Sequence, residues 1–117
     1  PASPSMALRV SAALVLASAL AASPAVPASA GETIKLVLEN HAFTPKDVKV
    51  KAGEDFSIHV VNKDPTPAEF ESHPLKVEKV VAGRSEITVR VRALKASTYE
   101  FYDEFNMSTA TGTVTAE

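Results

Sequence analysis

The chain has 117 residues, a formal net charge of −2 and no cysteine. The absence of cysteine excludes disulfide bonds and thiolate chemistry, and the nearly balanced charge gives no basic footprint for nucleic acid. All 14 acidic residues but only 11 of the 12 basic ones follow residue 30, so residues 31–117 carry a formal net charge of −3. That part is long enough for one small domain with one hydrophobic core.

The first thirty residues have the features of a secretory signal peptide. Arg9 gives a weak positive charge, residues 10–22 form an apolar run, and the small-x-small triplet at 28–30 is a cleavage site. Met6 has the character of a start residue, so residues 1–5 are interpreted as an upstream extension or as the result of a mis-called start. The run is short and alanine-rich for a spanning helix, which favours cleavage over the alternative of a retained membrane anchor. We therefore expect a signal peptide over 1–30, a periplasmic domain over 31–117, and no membrane insertion after cleavage.

The first part of that domain has the period-two pattern of β-strands. Residues 33–39 alternate, with Ile34, Leu36 and Leu38 on one face, which predicts a half-buried strand. The same alternation over residues 47–51 and 55–62 predicts two further strands, separated by a turn.

The second part of the domain continues the pattern. Residues 75–81 form a short apolar–polar segment, 86–92 alternate most regularly, a strand begins near Tyr99, and residues 110–116 form a closing strand. About seven short strands without a convincing helix predict an all-β fold, an antiparallel β-sandwich with Greek-key connections.

Residues 64–74 interrupt this pattern and concentrate reactive side chains. The stretch contains three prolines, Pro65, Pro67 and Pro74. Because proline is poorly tolerated in a central strand, we expect a loop here, with a short helical turn between residues 68 and 75 as an alternative. Glu69, Glu71 and His73 fall within five residues of one another. Since functional residues concentrate in such loops, the stretch predicts a metal site.

Short motifs along the whole domain resemble the cupredoxin family. In the first half these are Phe43-x-Pro45, Val48-x-Val50-x-Ala52-Gly53 and Val61-Asn62-x-Asp64. In the second half they are Leu94-x(4)-Tyr99-x-Phe101-Tyr102 and Gly112-x-Val114. The resemblance extends from about Thr33 to Ala116 and implies a cupredoxin-like sandwich.

The ligands of blue-copper cupredoxins do not match this chain. The family's His, Cys, His and Met positions fall at about Glu69, Asp103, Asn106 and Ala110. Without cysteine a trigonal site of two histidines and one thiolate cannot form, so there is no blue-copper centre and no electron transfer by that route.

A different branch of the cupredoxin family resembles this chain more than the blue-copper proteins do. Glu69-Phe70-Glu71, followed by Asp103-Glu104-Phe105, resembles the cupredoxin-like domains of bacterial periplasmic iron-uptake systems, the EfeO-type or Ftr-type proteins that accompany high-affinity iron permeases. That resemblance implies copper or iron as the bound ion. It also implies a membrane iron permease or another periplasmic component as partner, and iron transport as the process. Asn106 departs from the branch, in which we expect histidine at that position.

A cupredoxin fold would bring the loops at residues 62–74 and 103–110 to one end of the sandwich, with the turn at His41 close by. The predicted metal ligands are therefore Glu69, Glu71, His73, Asp103, Glu104 and His41. Carboxylate and imidazole ligands suit Fe, Mn, Cu(II) or Zn, and a cation would relieve the repulsion between the carboxylates. We expect Glu69 and Asp103 to lie off the core.

Three alternatives stay open from the sequence. The glutamates could be solvated surface charges, and the domain a metal-free interaction module that docks through Tyr102, Phe105 and the proline-rich loop. The protein could instead be a weak-copper electron-transfer partner with carboxylate in place of thiolate. No nucleophilic triad or glycine-rich phosphate loop is recognisable, so we expect a protein that is not an enzyme.

Overall fold

The computed structural model describes residues 31–117, and the signal peptide predicted over residues 1–30 lies outside this part. The described residues form nine strands and one 3₁₀ turn at Glu104–Asn106. The strands are β1 (Thr33–Glu39), β2 (Ala42–Thr44), β3 (Asp47–Val50), β4 (Phe56–Asn62), β5 (Ala68–Ser72), β6 (Val77–Val81), β7 (Ser85–Val91), β8 (Ser97–Asp103) and β9 (Thr111–Ala116). Within residues 31–117, no helix has the length and apolarity that crossing a bilayer requires.

The strands pack as two sheets, which confirms the predicted all-β sandwich. One sheet has the order β2-β1-β4-β7 and the other the order β3-β9-β8-β5-β6. The sheets are mixed, because β1 pairs with β4 and β3 pairs with β9 in parallel. Both parallel pairs join strands that are distant in the chain, as a crossover connection requires. The structure has two strands beyond the seven expected, β2 and β5.

The core lies between the two sheets and follows the alternation of the sequence. Leu36 on β1 and Ile58 on β4 are fully buried, as the period-two pattern predicts. Phe43, Phe70 and Phe101 pack together at the centre, and the rings of Phe43 and Phe101 meet edge to face with centroids 5.2 Å apart. Each such buried side chain stabilises the fold by about 1.5–3 kcal/mol through removal of apolar surface from water.

Residues 68–72 form β5, so the expectation of a loop or helical turn over this stretch is wrong. This strand lies inside its sheet, between β8 and β6. Pro65 and Pro67 precede it and Pro74 follows it, so no proline removes a backbone donor from the strand itself. The helical turn of the domain lies at Glu104–Asn106, directly after β8.

Candidate metal centre

Three glutamates meet on the outer face of the five-stranded sheet. Phe70 faces the core, so its neighbours Glu69 and Glu71 share the opposite face of β5, because side chains alternate along a strand. Glu104 joins them from the 3₁₀ turn that follows β8. One carboxylate oxygen from each of the three lies within 4.8 Å of the others. The arrangement offers three oxygen ligands around one point.

Glu71 is the buried member of this cluster. The residue is only 7% exposed, and its Oε1 has no hydrogen-bond partner among the described residues. Its Oε2 lies 3.3 Å from Nε2 of His73 and accepts a long hydrogen bond of 3.4 Å from the hydroxyl of Tyr102. A buried oxygen without a partner is costly, so this one needs a proton or a cation.

The environment raises the pKa of both β5 glutamates. The pKa of Glu71 is raised chiefly because its carboxyl can share a proton with that of Glu104, and further by burial and by repulsion from the Glu104 charge, while His73 opposes the rise. Burial raises the pKa of Glu69, and the charges of Glu78 and Glu71 add to this effect. Carboxylates crowded in this way bind protons more tightly, and a metal ion would replace those protons.

Tyr102 belongs to the same patch. Its pKa is raised by burial and then by the neighbouring Glu71 carboxylate, which disfavours a second negative charge beside it. Its ring lies across from Glu71 in the β5–β8 pairing, so it forms one wall of the cluster. The phenol therefore stays a neutral hydrogen-bond donor to Glu71.

Glu78 is a further carboxylate of this face that the sequence did not reveal. It lies directly opposite Glu71 in the β5–β6 pair, and its charge contributes to the raised pKa of Glu69. The period-two pattern of residues 77–81 could have indicated its outward position, but only once β5 was known to be the neighbouring strand.

Asp103 lies on the inner side of the same sheet, which corrects the expectation that it lies off the core. It pairs with Phe70 across β5 and β8, and it is 1% exposed. Its Oδ1 accepts the backbone N–H groups of Glu69 and Phe105, both at 3.0 Å, and its Oδ2 accepts the Asn106 side-chain amide at 3.0 Å. Asp103 thus caps the 3₁₀ turn and positions two site glutamates, but it is not itself a member of the glutamate cluster.

The two candidate histidines lie in different surroundings. His73 is exposed, at the turn after β5, and its Nε2 is within 3.3 Å of Glu71. His41 instead lies beside Asp64, with 3.8 Å between its Nε2 and Oδ2 of the aspartate. Asp64 also accepts the backbone N–H groups of Asn40 and His41, so it fixes the β1–β2 turn. His73 therefore lies beside Glu71 and His41 does not, while among the described residues the ligand atoms that all lie within 4.8 Å of one another belong to the three glutamates.

The fold and the site together define the class of this protein: a cupredoxin-like β-sandwich with a cluster of three glutamates on the outer face of one sheet. Residues 10–116 match the family model of the cupredoxin-like domain, and the chain belongs to this family. A curated relative is the uncharacterized protein RP394 of Rickettsia prowazekii (strain Madrid E), 34% identical over 79 residues. The match covers 68% of this chain and 63% of that relative.

Solved structures of copper proteins share the fold. The metal-binding domain of the Cu(I)-exporting P-type ATPase CopA of Streptococcus pneumoniae D39 has a TM-score of 0.67 and 16% identity, covering 78% of this chain and 91% of that one. Auracyanin A, a blue copper protein of Chloroflexus aurantiacus, has a TM-score of 0.63 and 15% identity, covering 74% and 100%. A copper-binding protein in its apo form has a TM-score of 0.64 and 20% identity, covering 78% and 93%. At these identities the likeness shows the fold alone.

The residues present do not fit a blue-copper ion, but they fit a metal held by oxygen and nitrogen. No cysteine exists to supply the thiolate, and both carboxylate oxygens of the buried Asp103 already accept hydrogen bonds. The partnerless oxygen of Glu71 and the neighbouring carboxylates instead suit a hard or borderline cation.

Proposed function

We propose that this protein is an exported, non-enzymatic metal-binding protein that holds one copper or iron ion on Glu69, Glu71 and Glu104. His73 would complete the site as an exposed nitrogen ligand. The single observation that carries this proposal is the buried Oε1 of Glu71, which has no hydrogen-bond partner in the described part of the chain. A cation bound there would satisfy this oxygen and neutralise three carboxylates that otherwise repel one another.

Two features bear on the choice of metal. Three carboxylates and one imidazole suit Cu(II) and iron better than Cu(I), which prefers sulfur ligands. Copper is supported by the copper-binding proteins that share the fold, and iron by the resemblance of Glu69-Phe70-Glu71 to the iron-uptake branch. We therefore propose Cu(II) or iron as the occupant.

The cellular role follows from the same resemblance and from the predicted signal peptide. We propose that the protein works in the periplasm, where it supplies metal to a membrane iron permease or to another component of an iron-uptake system. An exposed site suits transfer, because a partner's ligands can reach an ion on an outer sheet face. His73, on the solvent side of the cluster, is the ligand that such a partner would displace first.

Isothermal titration of the metal-free protein with Cu(II), Fe(III), Mn(II) and Zn(II) tests the proposal. We expect one saturable site for Cu(II) or iron, and at least a tenfold loss of affinity in Glu71→Gln, since glutamine keeps the shape but lacks the charge. Glu86→Gln is the matched control, because Glu86 also pairs with a histidine, at 2.7 Å from His59, but lies on the other sheet. Parent-like affinity in Glu71→Gln would place the metal elsewhere.

A metal-free interaction module is the second candidate, favoured by two exposed apolar side chains. Phe105 and Met107 are 55% and 52% exposed and lie on or next to the turn that carries Glu104. Large apolar side chains exposed together are typical of a docking surface. If none of the four ions binds, this candidate replaces the first.

A further inference from the structure

A cleft of about 430 Å³ lies outside the glutamate cluster and differs from it in charge. It is formed by the turn after β5 and by the end of β7 with the connection that follows. It is lined by residues 74–76 and 90–94. None of the three glutamates lines it. Its volume is within the range of small-molecule sites, roughly 300–1,000 Å³.

The floor of this cleft is apolar. Leu75 and Val91 are buried members of the core, and Leu94 is a half-buried side chain packed against it. Leu75 and Val91 lie beneath the cleft and are almost fully covered, so hydrocarbon surface is presented to it mainly by Leu94 and by the exposed Pro74 and Ala93. An apolar group of a ligand would lose water on contact with them, which favours binding by about 25 cal/mol for each Å² of apolar surface buried.

The rim of the cleft is cationic. Lys76, Arg90 and Arg92 are exposed there, and no acidic residue lines the cleft. Arg90 is partly neutralised by Asp55, whose Oδ2 lies 3.5 Å from its Nη2. Within residues 31–117, the charged groups of Lys76 and Arg92 have no carboxylate within 4.0 Å. In a domain of net negative charge, three cations around one concavity form a local site for an anion.

The walls of the cleft are held in place by backbone hydrogen bonds. The N–H of Ala93 donates to Oδ1 of Asp55 at 2.9 Å, and the carbonyl of Leu94 accepts the N–H of Gly53 at 2.9 Å. On the opposite wall, the N–H of Leu75 donates to Oγ of Ser72 at 3.2 Å. A cleft fixed in this way is preformed, so a ligand would pay little for ordering it.

From this combination we propose that the cleft binds a small organic anion with an apolar body, such as a medium-chain monocarboxylate. The carboxylate would lie between Lys76 and Arg92, because both are cations without a partner in the described structure. The hydrocarbon part would lie on Leu94, Pro74 and Ala93. This site is separate from the metal site, and its occupation does not depend on a bound ion.

A titration followed by ¹H–¹⁵N NMR tests this inference. The probe is octanoate added to the metal-free protein, with acetate and inorganic phosphate as separate arms. We expect octanoate to shift the amide signals of residues 75, 76 and 90–94 in a saturable way. Acetate and phosphate should bind at least tenfold more weakly, because neither can use the apolar floor.

The double variant Lys76→Gln/Arg92→Gln should lose at least tenfold in octanoate affinity. Its matched control is Lys35→Gln/Lys46→Gln, which removes the same charge from exposed positions outside the cleft and should bind as the parent does. An equal loss in both variants would mean a general charge effect and would overturn the site. So would octanoate shifts elsewhere on the domain, or binding to phosphatidylglycerol vesicles without binding to free octanoate.

Discussion

The backbone N–H of Glu69 donates a hydrogen bond of 3.0 Å to Oδ1 of the buried Asp103. The same oxygen accepts the N–H of Phe105, next to Glu104, also at 3.0 Å. One inward carboxylate thereby connects β5 to the 3₁₀ turn and fixes the spacing of two glutamates whose side chains point outward. The site depends on a residue that does not face it.

Asp103→Ala should therefore destabilise the fold. We expect a loss of about 1–3 kcal/mol in the free energy of unfolding for each buried N–H left without an acceptor, measured by urea denaturation. Glu104→Ala is the control, because an exposed site glutamate should change stability by no more than about 0.5 kcal/mol. If both variants unfold at the same urea concentration, Asp103 does not hold the turn. Asp103→Ala consequently cannot serve as a clean test of metal binding.

Phe70 lies between the two β5 glutamates in the sequence, but its side chain is buried in the core. Phe70→Ala should cost about 3–5 kcal/mol of stability, because it leaves a cavity beside Phe43 and Phe101. Phe105→Ala removes the same group from an exposed position and should cost less than about 0.5 kcal/mol. Thermal unfolding of the two variants compares them directly, and similar losses would contradict this assignment of the core.

Local alternation was sufficient to predict β1, β4 and the core side chains on them. It fails at residues 68–72 because the nearby prolines predict an interruption of the strand, whereas they lie just outside it. Whether a proline interrupts a strand depends on where the strand's hydrogen bonds to its neighbours begin and end. Those limits are set by the neighbouring strands and not by the local sequence.

Only part of the candidate site could be predicted from the sequence. Glu69, Glu71 and Glu104 come together as expected, since two of them alternate on one strand. The inward position of Asp103 and the outward position of Glu78 depend on how β5 pairs with β8 and β6. That register joins segments far apart in the chain, and no local pattern contains it.

Protons and metal ions should compete for the glutamate cluster. Because the pKa values of Glu69 and Glu71 are raised, we expect metal affinity to increase as the pH rises through those raised values and the cluster loses its protons. Titration calorimetry at a series of pH values measures this. Glu71→Gln should flatten the dependence, and a pH-independent affinity in the parent would argue against carboxylate ligands.

The stability of the metal-free protein should decrease as the pH rises, whereas its metal affinity should increase. A folded-state pKa of Glu71 above its unfolded value means that the folded protein binds this proton more tightly. The resulting stabilisation is fully present below the unfolded pKa and is lost as the pH rises through the folded one. Urea denaturation should show that the free energy of unfolding of the parent falls relative to that of Glu71→Gln as the pH rises through this range. A constant difference between the two proteins would contradict the raised pKa.

Electron paramagnetic resonance of the Cu(II) complex can identify the nitrogen ligand. With carboxylates and one imidazole, we expect a tetragonal Cu(II) signal, no intense thiolate band in the visible spectrum, and couplings from an imidazole nitrogen. His73→Ala should remove these couplings, because its Nε2 is 3.3 Å from Glu71. His41→Ala is the matched control and should keep them, since His41 lies beside Asp64. Couplings that persist in His73→Ala and vanish in His41→Ala would move the metal to the β1–β2 turn.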